Sequence, residues 1–224
     1  MSCPSPSSGA GCTDLRLNVL LLGGPQSGKS ATGNTLLGSR DFPSRLSPGA
    51  VTTECRLRRQ VMPAFLRRQG RQAALHLSVL DTPAYPNLLL SPEEVKHTVA
   101  HAVEQGFKGG PHVLLLVLRA DTPPCDAAGQ LTHFAEDLFG PEWRGHTLLA
   151  LSHGDRVDQA HLGSTEYLMQ ASGAFQALLE TVERRHHFVD NSATWLRTEG
   201  RPLLEKLVLL TRKNKYRGLQ LKSV

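Results

Sequence analysis

The chain has 224 residues, 40% of them hydrophobic, with a formal net charge of +5. That length suffices for one core-bearing domain, and no stretch approaches the roughly 18 uninterrupted apolar residues of a membrane span. The N-terminal "MSCPSPSSGAGCTD" has neither a basic start nor an apolar segment, so residues 1–14 read as a disordered leader rather than a secretory signal. Cys3, Cys12, Cys55 and Cys125 have no CxxC spacing, which speaks against a zinc site or a disulfide framework and for a reducing, cytoplasmic setting.

The positive charge is unevenly spread. Residues 212–224 hold Arg212, Lys213, Lys215, Arg217 and Lys222 and no acid, so the rest of the chain is close to neutral. Such a tail reads as solvated, with acidic-membrane contact as the lesser reading. A second group, Arg56, Arg58, Arg59, Arg67, Arg68 and Arg71, is expected on a surface excursion. No aromatic residues are interleaved there as stacking platforms, so nucleic acid is not the expected partner.

In chain order, "LRLNVLLLG" (15–23) is an apolar run without polar alternation, as in a strand buried on both faces of a parallel sheet. "KSATGNTLLG" follows with helical spacing and a glycine stop at Gly38. Residues 39–53 read as a loop, and "TECRLRRQV" (53–61) and "AALHLSVLD" (73–81) as strands. Ser91 is the expected N-cap of a helix over 92–107, with Glu93 and Glu94 in its first turn. A buried strand spans 111–119, a helix 125–140, a strand 146–155, helical sequence runs to about 185, a short strand covers 186–190, and a last helix covers 199–213. Strands alternating with helices predict a parallel sheet covered on both faces, with ligands at the carboxyl ends of the strands.

Three boxes fall at those ends. Residues 23–30, Gly23, Gly24, Pro25, Gln26, Ser27, Gly28, Lys29 and Ser30, satisfy G-x-x-x-x-G-K-[ST] between a strand and a helix. The backbone N–H groups of such a loop converge on phosphates, and the helix that follows, entered at Ala31, points its positive end at them. Lys29 is then the group for the β- and γ-phosphates, and Ser30 for Mg²⁺. Asp81, at the end of a buried strand, is the expected second Mg²⁺ aspartate; read alone it is a turn residue. In "LSHGD" (151–155), Asp155 can accept both N1–H and N2–H of guanine, with the His153 ring along the base. Asn191, just past the last strand, is a further candidate for the base or its loop.

"SGKSATGNTLLG", "AVTTEC", "LDTP", "GGPHVLLLVL", "HFAEDLFG" and "SHGD", in this order over residues 15–215, resemble the immunity-associated nucleotide-binding protein (IMAP) GTPases, relatives of septins and the chloroplast import GTPases. The resemblance implies an α/β phosphate-loop NTPase (G domain) over residues 15–211, with a mainly parallel central sheet flanked by helices. It implies GTP or GDP with Mg²⁺, and a nucleotide-dependent homodimer. It also implies a first-switch threonine at Thr52, with Thr53 beside it, and guanine reading by Ser152, His153, Gly154 and Asp155. Lys29 and Thr52 would be catalytic, and Ser30, Thr52 and Asp81 would serve the metal. Two departures stand out. Family members read D-T-P-G in the second switch, and this chain has Ala84 in place of that glycine. The family's arginine before the third helix falls on Thr122, with Arg119 displaced nearby. The sequence therefore supports two functions: a slow GTPase activated by self-association, or a nucleotide-binding scaffold that has lost hydrolysis.

Overall fold

The computed structural model describes residues 14–44, 52–68, 71–122, 126–161 and 163–222. The leader (residues 1–13), the loop stretch 45–51 and Cys125 lie outside them. The strand β1 (Leu15–Gly23) sits at the centre of a six-stranded sheet, between β3 (Arg71–Asp81) and β4 (Val113–Arg119), parallel to both. The sheet continues through β5 (Thr147–Ser152) and β6 (His186–Val189), and β2 (Arg56–Arg68) closes the other edge antiparallel to β3, giving the order β2-β3-β1-β4-β5-β6.

From Val19 to Leu22 the strand is apolar at every position because each face has its own core, whereas Arg16 is exposed and Asn18 half-buried at its start. Leu20 and Leu22 pack with α2 (Pro92–Gly106), α3 (Asp126–Phe139) and residues farther along the chain. Leu17, Val19 and Leu21 pack on the opposite face with α1 (Lys29–Leu37) and α7 (Leu196–Lys213). Ser91 is the N-cap of α2, as expected, and with Glu94 it forms a reciprocal capping box.

Three features differ from the sequence expectation. β2 runs past Pro63 to Arg68, with a register shift between Met62 and Leu66. An edge strand tolerates proline because one side of it needs no ladder N–H. Arg56, Arg58, Arg59, Arg67 and Arg68 of the arginine cluster therefore lie on the edge strand, and Arg71 at the start of β3 beside it. The helical stretch before residue 185 is three helices, α4 (Gly154–Gln159), α5 (Ser164–Gln170) and α6 (Gly173–Thr181), the last capped by the Ser172 hydroxyl, which accepts the Phe175 N–H. The basic tail is also packed. Leu219 is buried, its N–H donates to Pro111 O at 2.8 Å, and the Lys222 N–H donates to Leu138 O at 2.8 Å. Residues 214–222 thus form a strap across the amino-terminal end of the sheet, with Leu219 buried and Lys215, Arg217 and Lys222 exposed. No helix among the described residues is long and apolar enough to cross a membrane.

Candidate functional site

The site lies where β1, β3, β4, β5 and β6 end. Gly28 adopts φ +87, a conformation that favours glycine, and turns the chain from the loop into α1. Gly23 needs its missing side chain for a different reason: a Cβ there would lie 2.5 Å from Val117 O and 2.6 Å from Ser27 Oγ. Pro25 and Gln26 are exposed at the rim, and Ser27 is buried.

Lys29 is buried, and its ammonium donates to Gly23 O at 3.1 Å and Gly24 O at 3.2 Å. Burial lowers its pKa to about 8, opposed by the charge of Asp81. The Ser30 hydroxyl donates to Asp81 Oδ2 at 2.6 Å. Asp81 is 1% exposed; burial raises its pKa, against the Ser30 hydrogen bond and the charges of Lys29 and Arg56. Its other oxygen, Oδ1, is buried and has no protein partner.

Two of the candidate residues, Ser152 and Asn191, tie the loop and α1 to the ends of β5 and β6. The Ser152 hydroxyl donates to Ser27 O at 2.7 Å. The Asn191 amide donates to Thr32 Oγ1 at 3.0 Å, and its carbonyl oxygen accepts from Thr35 Oγ1 at 2.9 Å, so both ends of the side chain hold α1. A Cβ on Gly28 would come within 3.1 Å of Ser152 Cβ and 3.3 Å of Asn191 Nδ2. His153 takes a left-handed φ of 58 at the start of α4, and Asp155 follows in its first turn, 3.7 Å from Arg156 Nε. Ala31 is half-buried beside Asn34, Phe42 and Asn191 in a cleft of about 220 Å³. Thr52 is half-buried and Thr53 exposed in the segment ahead of β2, and neither is joined to Ser30 or Asp81 by a hydrogen bond among the described residues.

Ala84 is buried with φ outside the left-handed region. The next residue anchors the segment: the Tyr85 N–H donates to Gly23 O at 3.1 Å, and its ring stacks on Phe134 of α3 with centroids 4.2 Å apart. Sequence reasoning missed Tyr85, Thr32, Thr35 and Phe42, whose partners are far along the chain; only the aromatic next to Ala84 was a legible signal. Arg119 is forked onto Asp121, Nε to Oδ1 at 2.8 Å and Nη2 to Oδ2 at 2.7 Å.

These residues suit a bound nucleotide and its divalent ion. The loop leaves bare backbone and one buried cation for phosphate, and a hydroxyl beside a half-satisfied buried carboxylate offers hard oxygen donors. Among the described residues no group of three or more His, Cys, Asp or Glu could hold a metal alone. That matches the way Mg²⁺ is held, by one or two protein oxygens with phosphates and water completing the shell.

Fold and site define a phosphate-loop NTPase of the G-domain class. The family model described as the AIG1 family matches residues 17–216, and the chain belongs to that family. It is 26% identical over 175 residues to Immune-associated nucleotide-binding protein 7 of Arabidopsis thaliana, a match covering 78% of this chain and 53% of that protein. It is 30% identical over 187 residues to GTPase IMAP family member 8 of Homo sapiens, covering 80% of this chain and 25% of that protein. The chain thus spans about half the length of the first curated relatives it matches. Among solved structures, a dimerization-deficient mutant of Toc33 from Arabidopsis thaliana matches with a TM-score of 0.67 at 18% identity, over 92% of this chain and 87% of that one. Toc33 in complex with GDP and Mg²⁺ matches at 0.63 and 18%, over 92% and 88%. At these identities the likeness is one of fold.

Proposed function

We propose that the chain binds GTP and GDP with Mg²⁺ and is a slow GTPase whose turnover is completed by self-association. The observation that carries this reading is the Lys29, Ser30 and Asp81 cluster at the end of β1, with the lysine buried against loop carbonyls and the serine 2.6 Å from the carboxylate. Lys29 exchanges its two carbonyl partners for the β- and γ-phosphates, a charge-assisted contact stronger than the neutral ones it replaces. Ser30 and Thr52 from the first switch would hold the metal, and Asp81 would hold it through water. Bound Mg²⁺ supplies charge neutralisation at the phosphates. Asp155 reads the two guanine donors, His153 lies along the base, and Ala84 offers an N–H to the γ-phosphate. Ser152 and Asn191 act by holding the loop and α1. The cysteine usage favours a cytosolic setting.

The names of the relatives, a nucleotide-binding protein and a GTPase, support the nucleotide. For the chloroplast translocon components Toc33 and Toc159, dimerization is important for GTPase activity, which supports self-association here. A second reading, a nucleotide-binding scaffold without hydrolysis, is favoured by two observations. Arg119 is occupied by Asp121, and Tyr85 anchors the segment after Ala84 on both sides. Single-turnover GTP hydrolysis measured over a range of protein concentrations separates the two. A rate constant that rises with concentration supports the GTPase; GTP bound with no phosphate release at any concentration supports the scaffold; no GTP binding overturns both.

A further inference from the structure

The end of the sheet opposite the nucleotide site gathers positive charge that is scattered in sequence. Lys108 lies in the turn before β4 and Lys215, Arg217 and Lys222 on the strap, all exposed, while Arg144 in the 3-10 turn before β5 is paired with Glu136 at 2.8 Å. The strap is pinned there by Leu219 N–H to Pro111 O, by Gln220 Nε2 to Gly109 O at 3.2 Å, and by Asn214 Nδ2 to Gly145 O at 3.0 Å. Its basic side chains are therefore displayed from a fixed backbone and not from a free tail.

A cleft of about 470 Å³ opens at the same end, between the start of β6 and the last turns of α7. Leu148, Leu209 and Leu210 contribute its apolar lining, and Leu209 is 63% exposed. Lys206, Arg185 and Lys213 supply cations, with Glu183 shared between the last two. The Lys206 ammonium donates to His186 O at 3.0 Å, and among the described residues no carboxylate pairs with it. Burial lowers its pKa. An apolar lining with an excess of cations complements an anionic amphiphile, where a bare polyanion would leave the leucines uncovered.

We infer that this basic end, with the cleft between β6 and α7, docks on the surface of an anionic phospholipid bilayer. Each basic side chain near such a surface contributes about 1 kcal/mol, so a cluster of this size is enough for reversible binding. The orientation also suits the nucleotide reading: a triphosphate at the opposite end of the strands faces away from the like-charged membrane.

The test is co-sedimentation of the full chain with vesicles of phosphatidylcholine alone or with about one-third phosphatidylserine. Binding is expected only with phosphatidylserine, and it should be lost at about 0.5 M NaCl, where the Debye length falls to a few ångströms. Lys215→Glu with Arg217→Glu, and separately Lys206→Glu, should each weaken it at least tenfold. Thermal melting and GDP affinity should stay as in the parent, which distinguishes failure here from failure of the nucleotide reading. Equal binding to neutral vesicles, no binding at low salt, or unchanged binding by folded variants overturns the inference. So does a short RNA that binds more tightly than the vesicles and is lost in the same variants.

Discussion

Burying the Lys29 ammonium lowers its pKa to about 8, from 10.5 for an ordinary lysine. Between those values the unfolded chain holds a proton that the folded chain lacks, so stability rises with pH across that window. The rise is on the order of 3 kcal/mol at most. Urea unfolding of the ligand-free protein between pH 7.5 and 10 should show it, and Lys29→Met should flatten it. Bound GTP should also flatten it, because phosphate charge favours the ammonium form; a rise that persists in Lys29→Met belongs to another group. Ser30→Ala removes the partner of a buried carboxylate oxygen and should cost about 1–3 kcal/mol without ligand. The same variant should bind GTP equally with Mg²⁺ or with EDTA; retained Mg²⁺ dependence would move the metal role elsewhere. Asp155→Asn should erode a preference of at least about tenfold for GDP over ADP, because the guanine donors lose their paired acceptor. Competition between the two nucleotides measures it, and an undiminished preference places the reader elsewhere.

At the scale of elements, α1 carries Lys29 and Ser30, the residues proposed to meet phosphate and metal, and α7 packs against it. The two helices meet so closely at Gly200 that a Cβ there would lie 2.1 Å from Thr35 O. Gly200→Ala must push α7 outward, loosening Leu203, Leu204 and Leu207 from the core on that face. We expect a loss of at least about 2 kcal/mol, within the range for core disruption, with GDP affinity weakened in parallel. Melting and GDP titration on one preparation check both. Unchanged affinity in a destabilised variant would mean that the Asn191 amide positions α1 without help from α7. Elements were legible where a local signal was strong, the apolar run of β1 into its glycine loop and the Ser91 cap of α2. The extension of β2 beyond Pro63 was not, because an edge strand's partner lies across a turn and its proline faces open space.

For the whole molecule, the switch is the question. A switch needs two states separated by the differential affinity of its ligand. Tyr85 bonded to Gly23 O and stacked on Phe134 favours one arrangement of the segment after Asp81, and Ala84 lacks the glycine's access to the other. We expect slow hydrolysis and similar sedimentation with GTP and GDP. Ala84→Gly should widen the difference between nucleotides, and Asp121→Asn, which weakens the fork on Arg119, should raise turnover if that arginine serves the site. A parent protein that dimerises strongly with GTP alone would show Ala84 to be harmless.

The sequence alone determined the loop, its strand and helix, the Asp81 position and the family, because these depend on short spacings that local backbone geometry reads directly. A glycine-rich turn between a buried strand and a helix has few other uses. The tertiary structure decided what spacing cannot carry: that Ser152 and Asn191 hold the loop, and that the basic tail is a strap. Arg119 and Asp121 are two residues apart, and their pairing is set by the local turn after β4. The Ser152, Asn191 and strap contacts depend on which polar group finds a partner once burial has removed water, with partners up to 159 residues apart. Only packing brings them within hydrogen-bonding distance.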